Sequence, residues 1–238
     1  MIRLPCCVLL LVGWCMGPAD ARDELITSAQ IDGQTAPYVL TTTDSSTPSY
    51  AVILMPGGSG NLNPRLQDGK LVFGFGGNFL IRSRALFADQ RFVAASTDAT
   101  TSPARMTSIL RDLDRRYPRI AVYILGTSNS TGSTMALAAP LDGQAAGFVH
   151  SSSLNRIASF DTRGFKSRHL IVYHRMDACR ATRPSAADGA RRSFGIEVIA
   201  IDGGKSTGDD CEAYAHHGYY GVEQETVDRI KAWIARAQ

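Results

Sequence analysis

From Tyr50 onward, short apolar runs alternate with longer stretches in which apolar residues recur every three or four positions. The runs at 50–55 (YAVILM), 91–96 (RFVAAS), 120–125 (IAVYIL), 147–150 (GFVH), 169–174 (HLIVYH) and 196–201 (IEVIAI) have the length of strands. Several are apolar almost throughout, which suits parallel strands covered on both faces better than a sheet with one wet face. Between them, 79–89, 103–116 and 130–139 have helical length and composition. In 103–116, Met106, Ile109, Leu110 and Leu113 make one stripe, Pro103 fits the first turn and Ser102 stands where a cap belongs. A last helix is predicted over 222–235, with Val222, Val227, Ile230, Trp233 and Ile234 as its apolar side. Residues 26–40, ahead of the first buried strand, read as an antiparallel edge hairpin. The pattern predicts one α/β domain, residues 22–238, with a mostly parallel sheet flanked by helices.

The residues before 22 break this pattern. Arg3 supplies a positive start, Cys6 to Met16 is apolar, and Ala19-Asp20-Ala21 is a small-x-small site, so 1–21 reads as a signal peptide cleaved after Ala21. The apolar stretch is short of the roughly 20 residues that span a bilayer, so no stable membrane span is expected after cleavage. Lipid attachment at Cys15 is the alternative, disfavoured by the bulk of Trp14. The expected location is secreted or periplasmic. Cleavage would leave two of the five cysteines, Cys179 and Cys211, and an even pair in an oxidising compartment reads as a disulfide.

Net charge changes the picture by what it excludes. With 25 Lys+Arg against 22 Asp+Glu, the excess of +3 is small and dispersed, not the footprint of a nucleic-acid binder. The chain has no CxxC pair, no HExxH and no acidic calcium loop, so neither a metal site nor a cofactor is expected.

In a sheet of this kind ligands sit beyond the carboxyl ends of the strands, so chemistry belongs in the loops that follow them. After 120–125 comes Gly126-Thr127-Ser128-Asn129-Ser130, running into Thr131-Gly132-Ser133-Thr134. A serine at the tip of a tight strand-to-helix turn is a nucleophile elbow, where crowding demands small neighbours. Ser130 stands where the pattern has its second glycine. A plain Ser/Thr-rich helix cap is the competing reading. A phosphate loop does not fit, because the glycines are wrongly spaced and no lysine follows.

The loop after 50–55 reads Met55-Pro56-Gly57-Gly58-Ser59-Gly60-Asn61. Its glycines free backbone N–H groups and allow close approach, which makes Gly57 and Gly58, with the N–H of Asn129, the expected oxyanion hole. A plain glycine-rich turn is the alternative.

Five histidines compete for the base. His150, His169 and His174 sit at strand edges as structural residues, whereas His216 and His217 lie between the last strand and the last helix. His217, followed by Gly218 and an aromatic, is preferred over His216. Asp177, in Arg175-Met176-Asp177-Ala178-Cys179, is the acid that would orient the imidazole. A disulfide between Cys179, two residues after the acid, and Cys211, six before the base, would tie the two loops together.

Taken with Pro56-Gly57-Gly58-Ser59-Gly60, Asn78-Phe79-Leu80-Ile81-Arg82-Ser83-Arg84, Gly126-Thr127-Ser128, Asp177-Ala178-Cys179 and Cys211…His217-Gly218-Tyr219, the chain resembles the α/β-hydrolase superfamily, and within it secreted bacterial hydrolases. The likeness runs from Tyr50 to the C-terminus. It implies Ser128 as nucleophile, Asp177 as acid, His217 as base, and the first glycine-rich loop as oxyanion contributor. Asp98 resembles a further strand-end residue without an assigned role, and residues 79–84 are expected to position the helix behind the oxyanion loop. The expected activity is cleavage of an ester or related acyl bond through an acyl-enzyme. The substrate would be a small-molecule or polymer-borne acyl compound. A non-catalytic binding protein on the same fold and an acyltransferase are the alternatives. Only about 18 residues join 147–150 to 169–174, too few for a cap domain, so the pocket should be open, with Leu154 and Phe160 as one wall.

Overall fold

Successive residues of the central strands point to opposite faces, and both faces are apolar. In β3 (Tyr50–Met55), Ala51, Ile53 and Met55 join one buried cluster while Val52 and Leu54 join the other. Such a strand is stable only with helices on both sides. The computed structural model describes residues 22–31, 33–43 and 47–236 and shows that arrangement; the segment read as a signal peptide lies outside those residues.

Eight strands form one sheet. At its edge, β1 (Arg22–Ile31) and β2 (Gln34–Thr43) make the antiparallel hairpin expected from the sequence, longer at both ends than 26–40. β2 pairs antiparallel with β6 (Phe92–Ser96). From β6 the sheet continues parallel through β3, β7 (Ala121–Thr127), β8 (Gly147–Ser151), β9 (Arg168–His174) and β10 (Glu197–Ile201). A separate small hairpin pairs β4 (Arg65–Gln67) with β5 (Lys70–Val72), and the sequence pattern had shown neither.

One face is covered by α3 (Pro103–Arg116), α4 (Thr131–Ala138) and α5 (Pro184–Phe194). The stripe Met106, Ile109, Leu110 and Leu113 is buried there, and Ser102 caps α3 by accepting from Arg105 N. The other face holds α6 (Glu223–Ala235), whose Val227, Ile230, Trp233 and Ile234 are buried, with two short helices beside it. These two replace the single helix predicted over 79–89: α1 (Phe79–Arg82) and α2 (Arg84–Phe87) are separated at Ser83. There the Ser83 N–H turns back to Phe79 O and Ile81 O, and Arg84 Nη1 also donates to Ile81 O, so the carbonyls are satisfied without a continuous helix. Among the described residues no helix is long and apolar enough to cross a membrane.

Behind α4 two histidines are buried as a chain. Thr134 Oγ1 lies 2.7 Å from His150 Nδ1, and His150 Nε2 lies 3.2 Å from His169 Nδ1. His169 Nε2 is buried with no hydrogen-bond partner among the described residues, and the aromatic rings of Phe148, Phe160 and Phe165 surround the His169 ring. Burial holds the His150 imidazole well below its usual range and lowers His169 to about 4. Both are therefore neutral in the fold, while the unfolded chain takes up protons near 6.5. Their contribution is complete above that pH and is lost as pH falls toward the folded values. His174, also lowered by burial, acts in the same direction. Urea denaturation should accordingly show stability falling between pH 7 and pH 5, ahead of most carboxylate titration; a flat profile over that interval would contradict neutral burial of the pair.

Candidate active site

The turn after β7 is crowded enough to dictate its residues. A Cβ on Gly126 would come within 2.6 Å of Ser130 O and 2.9 Å of Thr134 Cγ2. A Cβ on Gly57 would lie 2.9 Å from Thr127 O and 3.1 Å from Ser128 Cβ. Ser128 itself sits at φ 54°, in the left-handed region that a non-glycine residue rarely occupies. It opens a single 3-10 turn, Ser128–Ser130, that leads into α4.

Ser130 explains its own departure from glycine. Its hydroxyl accepts from Thr127 N (2.8 Å) and donates to Met55 O (2.8 Å), stitching the elbow to the end of β3. Thr131 Oγ1 donates to Ser128 O (2.6 Å) and accepts from Leu154 N (3.1 Å), which ties the same turn to the loop after β8. The strained serine is thus held from three sides.

The glycine-rich loop after β3 lies alongside. Asn129 is exposed, and its side-chain amide donates to Gly58 O at 2.9 Å, joining elbow and loop directly. Gly57 is buried at the contact with Ser128, and Gly58, at φ 61°, faces the cleft. Asp98 now has a position: its Oδ1 accepts from Leu62 N at 2.6 Å, and Ala99 N donates to Gly60 O. Together they brace the far end of this loop.

On the other side of the cleft, His217 lies in a 3-10 turn, His216–Gly218, and is 6% exposed. Its Nδ1 is 3.1 Å from Asp177 Oδ2. Thr182 Oγ1 donates to the same carboxylate oxygen at 3.0 Å and lies 3.0 Å from His217 Nδ1, while Cys179 N donates to Asp177 Oδ1 at 2.9 Å. Facing a carboxylate, Nδ1 carries the ring proton, which leaves Nε2 free to accept. His216 is accounted for differently, stacked on His174 with ring centroids 4.6 Å apart. The strand-edge histidines His150, His169 and His174 are buried away from the cleft, though His169 Nε2 has no hydrogen-bond partner among the described residues.

Ser128 and His217 line one cleft of about 390 Å³, together with Gly58, Asn78 and Tyr214. Leu154 and Phe160, expected as a wall of this pocket, are elsewhere. Phe160 packs on His150, His169 and Phe165, and Leu154 lies over Gly132, because α4 stands between them and the cleft. The wall comes instead from Gly74-Phe75-Gly76-Gly77, a segment the sequence pattern left unassigned.

Several residues that serve the site had no individual role assigned from the sequence, although 79–84 were expected to position the helix behind the oxyanion loop. Asn78 caps α1 with its Oδ1 on Leu80 N (3.1 Å), so its amide nitrogen is left on the Gly57 side, 3.4 Å from where a Gly57 Cβ would sit. Arg82 donates to Gly77 O, Ala213 O and Gly218 O and pairs with Glu223 at 2.9 Å, clamping the His217 loop to α1. Ser152 Oγ donates to His217 O at 2.7 Å, and the buried Tyr219 hydroxyl accepts from Ser152 N and donates to Val172 O.

Cys179 and Cys211 are joined, with an S–S distance of 2.02 Å. Asp177, Cys179 and His217 place three metal-ligand atoms within 4.8 Å of one another, but the sulfur is committed to the disulfide and offers no thiolate.

The overall fold has counterparts among solved structures. An esterase domain from Rhodothermus marinus superposes with TM-score 0.60 at 10% identity over 91% of this chain and 98% of its own. A cold-adapted esterase from an Arctic intertidal metagenomic library gives 0.59 at 12% identity over 91% and 97%. An α/β serine hydrolase without a lid, from Xanthomonas campestris, gives 0.57 at 10% over 93% and 100%. The chain has the α/β-hydrolase fold. No family model and no curated protein sequence matches it. Like the Xanthomonas protein, this α/β-hydrolase fold carries no lid over the described cleft: the chain between β8 and β9 holds only one 3-10 turn, Asn155–Ser159.

The disulfide closes a long loop between otherwise separate segments, 32 residues apart in sequence. Replacing both cysteines by alanine should cost about 3–4 kcal/mol in the loop-entropy account, read by denaturant midpoints. Intact mass should rise by two hydrogens on reduction of the native protein.

Proposed function

We propose that the protein is a secreted or periplasmic serine hydrolase that cleaves an ester or related acyl bond, with Ser128 as nucleophile, His217 as base and Asp177 as the acid behind it. The observation that carries this reading is the shared cleft: a serine held at φ 54° on one side and, on the other, a histidine whose far nitrogen is bonded to a buried carboxylate. A helix cap needs neither the strain nor the facing histidine. A non-catalytic scaffold would gain nothing from left-handed serine geometry, which costs on the order of 1–3 kcal/mol.

In this mechanism His217 Nε2 takes the proton of Ser128 Oγ as the oxygen attacks the substrate carbonyl carbon. The carbonyl electrons move onto its oxygen, which is met by the backbone N–H groups of Gly58 and Asn129, with Gly57 allowing the close approach. As the tetrahedral intermediate collapses, His217 gives its proton to the leaving alcohol. Water, deprotonated by the same nitrogen, then releases the acid and restores Ser128. Asp177 keeps the ring in the tautomer that makes Nε2 the acceptor, and Thr182 holds the carboxylate oxygen in place. Asn78 supplies a further donor: with its oxygen held by Leu80 N, its amide nitrogen is left on the Gly57 side of the cleft to reach the oxyanion.

Fluorophosphonate labelling tests the core of this reading. One adduct is expected, on Ser128 by peptide mapping, absent from Ser128→Ala and lost in His217→Ala. No adduct between pH 6 and 9 on folded, oxidised protein would falsify the triad.

Asn78→Ser separates catalysis from capping, since serine caps a helix as well as asparagine does. The expected result is a kcat reduced about 10²–10³-fold, the range for a lost oxyanion donor, at nearly unchanged thermal midpoint. Unchanged kcat would return Asn78 to a purely structural role.

A further inference from the structure

The cleft beside Ser128 has an unusual lining. Among the described residues, Phe75 and Tyr214 are the only aromatic side chains that stand as large exposed hydrophobics, 43% and 46% exposed, and both are on this cleft. Single exposed rings are ordinary on a protein surface; two on the lips of one cleft, with every other described Phe, Tyr and Trp ring less exposed, mark a place kept for a ligand.

Each ring is held where it is. Phe75 lies against Gly58 of the proposed oxyanion loop, its Cε1 2.9 Å from where a Gly58 Cβ would be. Tyr214 belongs to the loop of His217. Its hydroxyl and ring edge are 3.3 Å from the Cβ position of Gly77, the Tyr220 ring meets it edge-on at 5.3 Å, and the Arg82 guanidinium sits 5.2 Å from its centroid. Between them the floor is Gly76-Gly77. A Cβ on Gly76 would meet nothing nearer than Phe73 O at 3.8 Å, so the glycine leaves this part of the lining uncrowded.

Charge narrows the occupant. Among the described residues lining the cleft, Glu212 is the one carboxylate and His217 the one basic side chain, and no lysine or arginine stands there to pair with an anionic substrate. A cationic one would meet Tyr214 with a guanidinium already over its ring.

We propose that this slot binds a flat, uncharged ring in the substrate, so that the protein acts on esters carrying an aromatic group beside the scissile bond. The proposal rests on the hydrolase reading for the bond that is cut, but the slot itself is a binding claim that stands apart from turnover. Ring-on-ring contact discriminates a planar group from a puckered one of the same size, which sets the experiment.

Two matched pairs serve as substrates: benzyl acetate against cyclohexylmethyl acetate, and ethyl phenylacetate against ethyl cyclohexylacetate. At least one pair should favour the planar member by about tenfold in kcat/KM, and which pair does so tells on which side of the carbonyl the slot lies. In Phe75→Leu and Tyr214→Leu, which stay apolar but lose the ring, the ratio should shrink to about threefold or less. The ratio, not the absolute rate, is the readout, because Tyr214 also touches the His217 loop. Hydrolysis of both pairs with ratios near one would overturn the slot and leave the hydrolase standing. So would a preference for acetylcholine over benzyl acetate, which would assign the rings to a cation. Saturation-transfer NMR on Ser128→Ala reads the slot without chemistry: contact with the phenyl protons of benzyl acetate is expected and should weaken in the Phe75→Leu background. Ring contact in a protein that neither turns over esters nor labels with fluorophosphonate would keep the slot and sink the hydrolase. Absence of that contact would sink the slot.

Discussion

Everything at this site depends on keeping one serine in a backbone conformation that its side chain resists. At φ 54° Ser128 carries a local cost, and it persists only because its neighbours leave no alternative. Gly57 and Gly126 are glycines because a Cβ at either would strike backbone, and Ser130 locks the turn by bonding across to Met55. The choice of serine over glycine at 130 is therefore a gain in restraint. Glycine would relieve crowding but leave Thr127 N and Met55 O without this shared partner, and a buried polar group left unpaired costs about 1–3 kcal/mol.

The opposite side of the cleft is restrained by a different device. The chain from Asp202 to Ala215 is largely exposed and has no helix or strand of its own, so no packed element carries the His217 turn as β7 and α4 carry Ser128. Chemical ties do it instead. The disulfide binds this loop to the Asp177 loop, Arg82 gathers three of the cleft's backbone carbonyls onto α1, and Ser152 takes the carbonyl of His217 itself. Except for the Arg82 bond to Gly77, these ties run between segments far apart in the chain. The result is an Asp177–His217 pair whose separation from the elbow is set by the sheet and whose orientation is set by side chains.

The sequence made the sheet legible because buried parallel strands write themselves as short apolar runs, and six such runs were found within two residues of their ends. Helices were less uniform. The pair α1 and α2 read as one, since Ser83 carries no proline or glycine to announce the break that long-range packing imposes. α5 was missed although Pro184 stands at its first turn and Gly195 ends it at φ 71°: its buried side is Ala186, Ala187 and Ala190, too small to show as an apolar stripe. At the site, Ser128, Asp177 and His217 lie in loops that follow strands, where topology pointed, and the Cys179–Cys211 bond was readable from the pairing of the two cysteines left after the leader. Thr182 meets His217, and Arg82 meets Ala213, Gly218 and Glu223, across long stretches of chain, while Asn78 makes a local cap that any N-terminal helix turn could use; residue type announces none of these roles. Leu154 and Phe160 failed as a pocket wall for the same reason, since their position depended on which side of α4 the loop after β8 would pass.

The five histidines show why burial alone does not select a base. Four of them, His150, His169, His174 and His217, are buried, and the first three are held below their usual range by that burial. A buried neutral imidazole with both nitrogens facing protein is a structural element, as in the Thr134–His150–His169 chain. His217 differs by standing at a boundary, with a carboxylate behind it and the cleft in front. That asymmetry fixes the tautomer from within and leaves the other nitrogen facing the space where Ser128 sits. His216, its immediate neighbour, points instead into a stack with His174 and has no such carboxylate. A one-residue shift in this turn would exchange the two environments. The tight turn around Gly218, where a Cβ would come within 1.9 Å of Ala213 O, therefore sets which histidine faces the serine.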